Sequence, residues 1–570
     1  METIDEKSTE ESKSPKSNNR IVIGLVALLL LFMCCCVVVL SVALVDPFDW
    51  KLLGFLSGGG DAAVDSMPES TGFYVGLDMD QLTLAELGRL VDPFLEDGQS
   101  IDYRNFAEML ADLDDELGSE MGFNISDDIL PWLGPNVGIG LVDYQIDQYG
   151  GLDVAQVLVV AESRDSDAAD DFVAKFIASV EDSRGDLFFQ QEYEGVTIYE
   201  LDTDYEDERL AIARSGDLVY FATGAEAIED GIDAQKGNSL ANNEEYSKLE
   251  REMSPDRAIT IYFNSDFVGD LAGGLASDLP VDPNDVPLVG EAGGALTLSI
   301  IDPGIQVDFL AAIDQLGDEE RLALEGSDAK TADMFPEDTV AYFTGASVSQ
   351  YWDALMAVMP DYEEAMDELE GEIGFDIVND LIVHLDGETG IGLWPSSEGV
   401  LADAADIALA FGALAGTSDE AAVNTTSGKI AGLLEDQFLT VDSKTSDGLT
   451  VYTLSEEFSG IEASYGVGEG YFFITSGEAA VEDVFHGDSS LADSELYKSV
   501  WSEFPGGTSP VLYLDINGFA DALASAMGDF VVGDIEEATA ALEPISVVAF
   551  GTDFGGDVSR ASMILFLKSE

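Results

Sequence analysis

Residues 115–141 align with residues 367–393 at a constant offset of 252, without a gap. DELGSEMGFNISDDILPWLGPNVGIGL faces DELEGEIGFDIVNDLIVHLDGETGIGL, and 13 of the 27 positions are identical. Among them are Gly122/Gly374, Phe123/Phe375, Asp128/Asp380 and a closing Gly-Ile-Gly-Leu. Chance does not produce such agreement, so the chain is expected to build one scaffold twice.

The match extends along both halves. Pro68-Glu-Ser-Thr and Pro336-Glu-Asp-Thr each lead into an aromatic strand, at Phe73-Tyr74 and Tyr342-Phe343. Gly195-Val-Thr-Ile-Tyr199 corresponds to Gly448-Leu-Thr-Val-Tyr452. Ser239-Leu-Ala241 with Tyr246 corresponds to Ser490-Leu-Ala492 with Tyr497. Each half then gives a strand with a central tyrosine (Tyr262, Tyr513), an Ala/Gly-rich helix and a final hairpin, turning at Asp302-Pro303-Gly304 or at residues 553–557. The spacing predicts one unit over residues 67–313 and a second over 334–570, joined by an acidic connector at 314–333.

Within a unit the hydrophobic periods separate helix from strand. Phe106, Met109, Leu110, Leu113 and Leu117 share one helical face, as do Phe172, Val173, Phe176, Ile177 and Val180. Residues 137–141, 154–160, 187–189, 196–201, 210–213 and 218–222 read as strands, with a tight turn at Ser215-Gly216. Short turns between successive strands favour antiparallel pairing. The expected fold class is therefore α+β: two tandem homologous units of mostly antiparallel sheet with packed helices, preceded by one transmembrane helix.

That helix is Ile21 to Val45, 25 residues without Asp, Glu, Lys, Arg, Pro, Asn or Gln. As a helix the run spans roughly 37 Å, enough for a hydrocarbon core of about 30 Å with some tilt. Lys13, Lys16 and Arg20 precede it in a stretch free of acid, whereas Asp46 and Asp49 follow it. Positive residues stay cytoplasmic, so residues 1–20 are expected inside and the bulk of the chain outside, in a single-pass cell-membrane protein. Residues 46–66, with Ser57-Gly-Gly-Gly60, read as a flexible stalk. A secretory signal would have a shorter apolar core, which favours an uncleaved signal anchor, although Ser41-Val42-Ala43 would suit cleavage. The only cysteines, Cys34, Cys35 and Cys36, lie inside the run, so no disulfide scaffold is expected outside.

The motifs above resemble those of a bacterial domain-of-unknown-function family, number 3352. Its members look alike in an N-terminal membrane anchor, a Pro-led opening strand, a Gly-x-Thr-hydrophobic-Tyr strand and a Ser-Leu-Ala segment before a Tyr-bearing strand. The resemblance covers nearly all of residues 67–570. It implies an envelope location and supplies no activity or catalytic residue. This chain departs from the family in its extreme acidity.

The formal charge is −90, from 113 acids against 23 bases. No basic stripe exists to neutralise phosphates, so nucleic acid is excluded as a partner. The same charge opposes adsorption onto an anionic membrane surface. Hydrophobic residues make up 46% of the chain, enough for real cores, so the acids belong to folded surfaces rather than to a disordered tail. Adaptation to salt and divalent cations in bulk accounts for them, with specific cation binding as the sharper alternative.

A search for chemistry returns little. Both histidines read structurally: His384 stands at the repeat position of Trp132, and His486 precedes Gly487 as Lys236 precedes Gly237, like a helix C-terminus whose base meets the dipole and whose glycine takes the left-handed conformation. Two isolated histidines and no outer cysteine make no zinc site. Gly466-Val-Gly468-Glu-Gly470 leads into a strand and reads as a hairpin turn, not a nucleotide loop. Asp202, Asp204 and Glu206 form the one candidate calcium site, weakened because Asp207 stands where the sharp-turn glycine is needed. Asn124 and Asn424 open glycosylation sequons by pattern alone. No catalytic residue and no cofactor are assigned, and the reading leans away from an enzyme. The leading expectation is a non-enzymatic interaction or envelope-associated module. A carboxylate-based hydrolase and a carrier of apolar ligands such as lipids remain open alternatives.

Overall fold

Two-residue turns close several of the hairpins. At Glu194-Gly195 (φ 49° and 85°) and Glu469-Gly470 (φ 53° and 84°) both turn residues are left-handed, which matches the twist of the strands they join. Gly466 to Gly470 is thus the end of a strand and its turn, as expected.

The computed structural model describes residues 61–78, 123–146, 152–184, 187–202, 209–269, 293–302, 304–312, 327–352, 370–371, 374–398, 408–436, 440–446, 448–455, 462–527, 545–554 and 556–568. The transmembrane run 21–45 and the helix expected around Phe106–Leu117 lie outside these residues. Among the described residues no helix is long and apolar enough to cross a membrane. Asp61–Val64 forms a turn of helix with Ala63 and Val64 buried, so packing begins within the stretch expected as stalk.

The first half contributes β1 (Phe73–Asp78), β2 (Leu133–Ile146), β3 (Leu152–Ser163), β4 (Phe188–Tyr193) and β5 (Val196–Leu201). It continues with β6 (Ala211–Ser215), β7 (Leu218–Ala222), β8 (Arg257–Phe263), β9 (Gly294–Ile301) and β10 (Gly304–Ala312). The second half contributes β11 (Ala341–Ser347), β12 (Glu388–Pro395), β13 (Leu409–Gly416), β14 (Thr440–Ser446) and β15 (Leu449–Ser455). It ends with β16 (Glu462–Gly468), β17 (Tyr471–Thr475), β18 (Ser509–Asp515), β19 (Ile545–Asp553) and β20 (Val558–Leu567). The helices used below are α1 (Ser166–Arg184), α2 (Ala225–Ala234), α3 (Glu244–Glu250), α4 (Glu420–Asp436), α5 (Glu478–His486), α6 (Glu495–Ser502) and α7 (Ile516–Met527).

The twenty strands among the described residues join one antiparallel sheet, which with its helices makes an α+β fold. From one edge the order is β4-β5-β6-β7-β3-β2-β1-β8-β9-β10. From the other edge it is β14-β15-β16-β17-β13-β12-β11-β18-β19-β20. The order therefore reads the same from either edge, and the halves meet where β10 pairs with β20. In β9–β10 Ala295 faces Leu310, and in β19–β20 Ala549 faces Ile564. Counting back two residues makes Asp308 the counterpart of Ser562, and these two face each other across the junction.

One face of the sheet buries a tyrosine cluster in each half. Tyr246 of α3 stands edge-on to Tyr74 and Tyr262, with ring centroids 6.3 and 5.1 Å apart. Tyr497 of α6 stands the same way to Tyr342 and Tyr513, at 6.1 and 5.2 Å. The sequence motifs hold these helices in place. Pro68 bridges to Ser239 and Pro336 to Ser490, while Leu240 and Leu491 donate N–H bonds of 2.7 Å to Met67 and Phe335. Thr71 and Thr339 each return a 2.7 Å bond to the proline carbonyl. Helices α2 and α5 complete this face.

On the opposite face, among the described residues, helices cover the two ends and α7 packs on β18 and β19 near the centre. At the ends α1 packs Phe172, Val173 and Phe176 onto Val137, Ile212 and Val219, and α4 packs Val423 onto Ala415, Tyr465 and Phe472. The periodicity of α1 is as the sequence predicts. The counterparts Phe123 and Phe375 differ: Phe123 is buried against Phe172, whereas Phe375 is half-buried beneath the Lys429 ammonium, 5.5 Å from its ring centre.

Candidate functional site

Asp202 is exposed just past β5, where its N–H donates to the Leu187 carbonyl. Asp204 and Glu206 lie outside the described residues. Among the described residues no group of three or more His, Cys, Asp or Glu side chains is placed to hold a metal ion.

His384 is half-buried in a short helical turn, while its counterpart Trp132 is buried and donates from Nε1 to the Asp128 carbonyl. His486 ends α5 as expected, but Gly487 departs from the expected left-handed cap. Its φ is −60°, whereas Gly237 at the matching place has φ 113°. The chain after α5 turns away in an extended conformation, so the sequence signature of a helix end was correct and the cap geometry was not. Asn424 sits inside α4 with its side-chain oxygen buried, and Thr426 is buried too, which removes that sequon as an accessible acceptor.

Among the described residues, two polar pockets stand out. One, of about 390 Å³, is lined by Ser70, Asp143, Tyr144, Gln156, Glu226 and Asp230. Burial raises the Asp230 carboxyl above its usual range, and the charges of Asp233, Glu226 and Asp143 push the same way. The neighbouring Glu229 is also raised, again chiefly by burial and then by Glu226 and Asp230. Sequence reasoning missed this group because the carboxylates come from β2 and α2, far apart in the chain. The other pocket, about 220 Å³, gathers Asp333, Glu469, Asp483, Asp488 and Asp493. Two of these acids already have partners: Asp483 accepts from Trp394 Nε1 at 3.1 Å, and Asp493 closes a capping box with Ser490.

The larger feature is the centre of the sheet face opposite the tyrosines. It is floored by nine adjacent strands, from β1 through β8, β9, β10, β20, β19, β18 and β11 to β12, a width of roughly 38 Å at about 4.8 Å per strand. Strand alternation aims Phe73, Val75, Ile261, Phe263, Leu296, Leu298, Val307 and Phe309 at this face from the first half. From the second half come Met563, Leu565, Val548, Phe550, Leu512, Leu514, Phe343 and Ile391. A β-bulge between Arg257 and Ile259 turns Arg257 away from this face, and alternation puts no other charged side chain of the nine strands on it. Its residues are half-buried or exposed, Phe309 at 43%, Phe343 at 38% and Ile391 at 42%, with Leu77 buried at its margin. Among the described elements, α7 packs on β18 and β19, Phe267 touches Phe73, and Tyr351 stands over Gly345. A half-exposed apolar surface of this breadth exceeds what soluble monomers ordinarily leave open.

These features define a class: an α+β protein whose described strands form a single antiparallel sheet, with one face closed over buried tyrosines and the other lined by apolar, largely half-buried side chains. The chain belongs to the family described as "Protein of unknown function (DUF3352)", whose profile matches residues 21–553. Among solved structures, crystal form IV of TP0453 is similar at 10% identity and a TM-score of 0.24, covering 44% of this chain and 80% of that one. Crystal form I of TP0453 gives 10% identity, a TM-score of 0.23 and coverage of 45% and 80%. Similarity this low transfers nothing to the present chain. No curated protein matches it.

Proposed function

We propose that the protein is a membrane-anchored, extracytoplasmic, non-enzymatic binding module that holds apolar chains, such as those of lipids, on the apolar face of its central sheet. The observation that carries this reading is the set of apolar side chains on this face, among which Phe309, Phe343 and Ile391 are exposed. Burying apolar area is worth about 25 cal/mol per Å², so a chain laid along such a floor is held without specific polar contacts. Residues 21–45 would tether the module to the bilayer that supplies the ligand, with residues 1–20 cytoplasmic.

The scaffold is read as two tandem homologous units. Support comes from the repeat at offset 252, the matching strand order, the paired tyrosine clusters and the Pro68–Ser239 and Pro336–Ser490 bridges. In that reading the two units share the apolar floor, and each closes one end with its own helix, α1 or α4.

The test is photoaffinity labelling of the full chain reconstituted in phosphatidylcholine vesicles that carry a trace of photoreactive diacylglycerol. Labelled peptides should come from β9, β10 and β20 as well as from the anchor. Phe309→Asp with Met563→Asp should remove the sheet label and leave the anchor label. Label confined to the anchor in the unaltered chain would refute the reading.

The pocket around Asp230 favours a second reading, a carboxylate-based hydrolase, because a raised carboxyl beside ionised ones is what general acid catalysis requires. Hydrolysis of a glycoside library that vanishes in Asp230→Asn would support it. The absence of turnover across that library would count against it.

A further inference from the structure

The tyrosine face of the sheet carries a buried polar patch midway between its two tyrosine clusters. Thr297 of β9 faces Asp308 of β10, and Ser299 faces Gln306, with all four side chains buried. Ser562 of β20 faces Asp308 from the other side. Asp308 Oδ1 accepts from Ser562 Oγ at 2.6 Å and from Gln306 Nε2 at 2.9 Å, whereas Oδ2 accepts from Gln306 alone. Thr297 is 0% exposed and Ser299 2%, yet neither hydroxyl has a hydrogen-bond partner among the described residues. The arginines of the neighbouring ladders are matched by carboxylates of their own. Arg257, opposite Ser299, lies 3.8 Å from Glu250, and Arg560, opposite Leu310, lies 3.6 Å from Glu252. No base pairs with Asp308 among the described residues.

A charge buried this deeply is ordinarily paired or bound to a metal ion, and a buried hydroxyl left without a partner is destabilising. One occupant answers both. We propose that the patch binds one small alkali cation, sodium or potassium, held by Asp308 Oδ2 and the hydroxyl oxygens of Thr297 and Ser299. Facing side chains on neighbouring strands start about 5 Å apart, so a cation seated between β9 and β10 stands about 2.5 Å from each, the distance at which hard cations take oxygen ligands. A single carboxylate matches a single positive charge, whereas a divalent ion would bring an excess. Water would give the hydroxyls a partner but leave the carboxylate uncompensated in a dry site. The cation lies one ladder from the β10–β20 junction, so its binding ties the joining of the two halves to the salt around them.

The experiment melts the full chain, held in a non-ionic detergent, in sodium, potassium or choline chloride at equal concentration. Screening is then matched, and only the alkali ions are small enough for the patch. The parent should melt about 2–3 °C higher in either alkali salt than in choline, once the cation reaches roughly a hundred times its dissociation constant. Thr297→Val keeps the shape of the side chain, removes its oxygen and should abolish that difference. In choline the same variant should melt no lower than the parent, since it deletes a hydroxyl that has no partner there. Ser299→Ala should shrink the difference as well, and it carries the test if Thr297→Val fails to fold. Equal melting of the parent in all three salts would overturn the inference and leave water as the partner of both hydroxyls. A difference that persists unchanged in the variants would place the ions on the acidic surface and overturn it equally.

Discussion

The Ser562 hydroxyl donates a 2.6 Å hydrogen bond to the Asp308 carboxylate, and the two residues face each other at the midpoint of the ladder between β10 and β20. Both are buried, Asp308 to 2% exposure and Ser562 completely. Gln306 Nε2 reaches both Asp308 oxygens at 2.9 Å. A carboxylate buried without an ion-pair partner survives only if such donors replace water. The junction of the halves is thus held by a small polar group between Leu310 on one side and Ile564 on the other.

Removing one of those donors should weaken the junction. Ser562→Ala leaves Asp308 with a donor missing in a dry site and should destabilise the protein by about 1–3 kcal/mol. Ser562→Thr, which keeps the hydroxyl, should lose less. Chemical denaturation of both variants checks this; equal loss would assign the effect to packing alone.

The repeat made most of this fold legible. Strands β5 and β7 end where the hydrophobic runs end, at residues 196–201 and 218–222, because short turn signals flank them. The Pro68 and Ser239 motifs were recognisable as paired landmarks, but their hydrogen-bonded contact joins residues too distant in sequence for local periodicity to reveal. The joining of both halves into one sheet was not visible either. The strands β10 and β20 look like ordinary terminal hairpin strands, and nothing in their alternation says that their free edges pair. The apolar face was hidden for a related reason. Strands such as β9 alternate Leu with Thr and Ser, which suggests apolar inward and polar outward, yet Thr297 and Ser299 are the buried set.

A pH dependence follows from Asp230. Burial first, then nearby carboxylates, raise its folded carboxyl above the ordinary aspartate range, so the folded state holds a proton that the unfolded chain gives up sooner. Stability linked to this group is therefore fully present below the ordinary aspartate range and falls as pH rises through the raised folded pKa. Asp230→Asn, which cannot ionise, should melt at a higher temperature than the parent at neutral pH and lose that advantage in acid. An advantage independent of pH would contradict the assignment.

The surface charge predicts a salt response. With 113 acids against 23 bases, self-repulsion favours expansion, and screening should raise the melting temperature similarly in sodium and potassium chloride. A calcium site at Asp202 and Asp204 would add stabilisation at low calcium, following the binding linkage, and lose it in the double Asn variant. A melting temperature indifferent to ionic strength would mean that the acids are already compensated.

The most direct test of the binding reading places a reporter on the apolar face. Residues 46–570 contain no cysteine, so replacing Cys34, Cys35 and Cys36 by Ser leaves a blank chain for labelling. Phe309→Cys would carry a polarity-sensitive fluorophore on the sheet face, and Leu187→Cys would carry it at an exposed apolar residue beside β4, away from that face. With the full chain held in phosphatidylcholine vesicles, added diacylglycerol should shift the emission at position 309 to the blue, saturably, and leave position 187 unchanged. Identical responses at the two positions, or none at 309, would contradict the account.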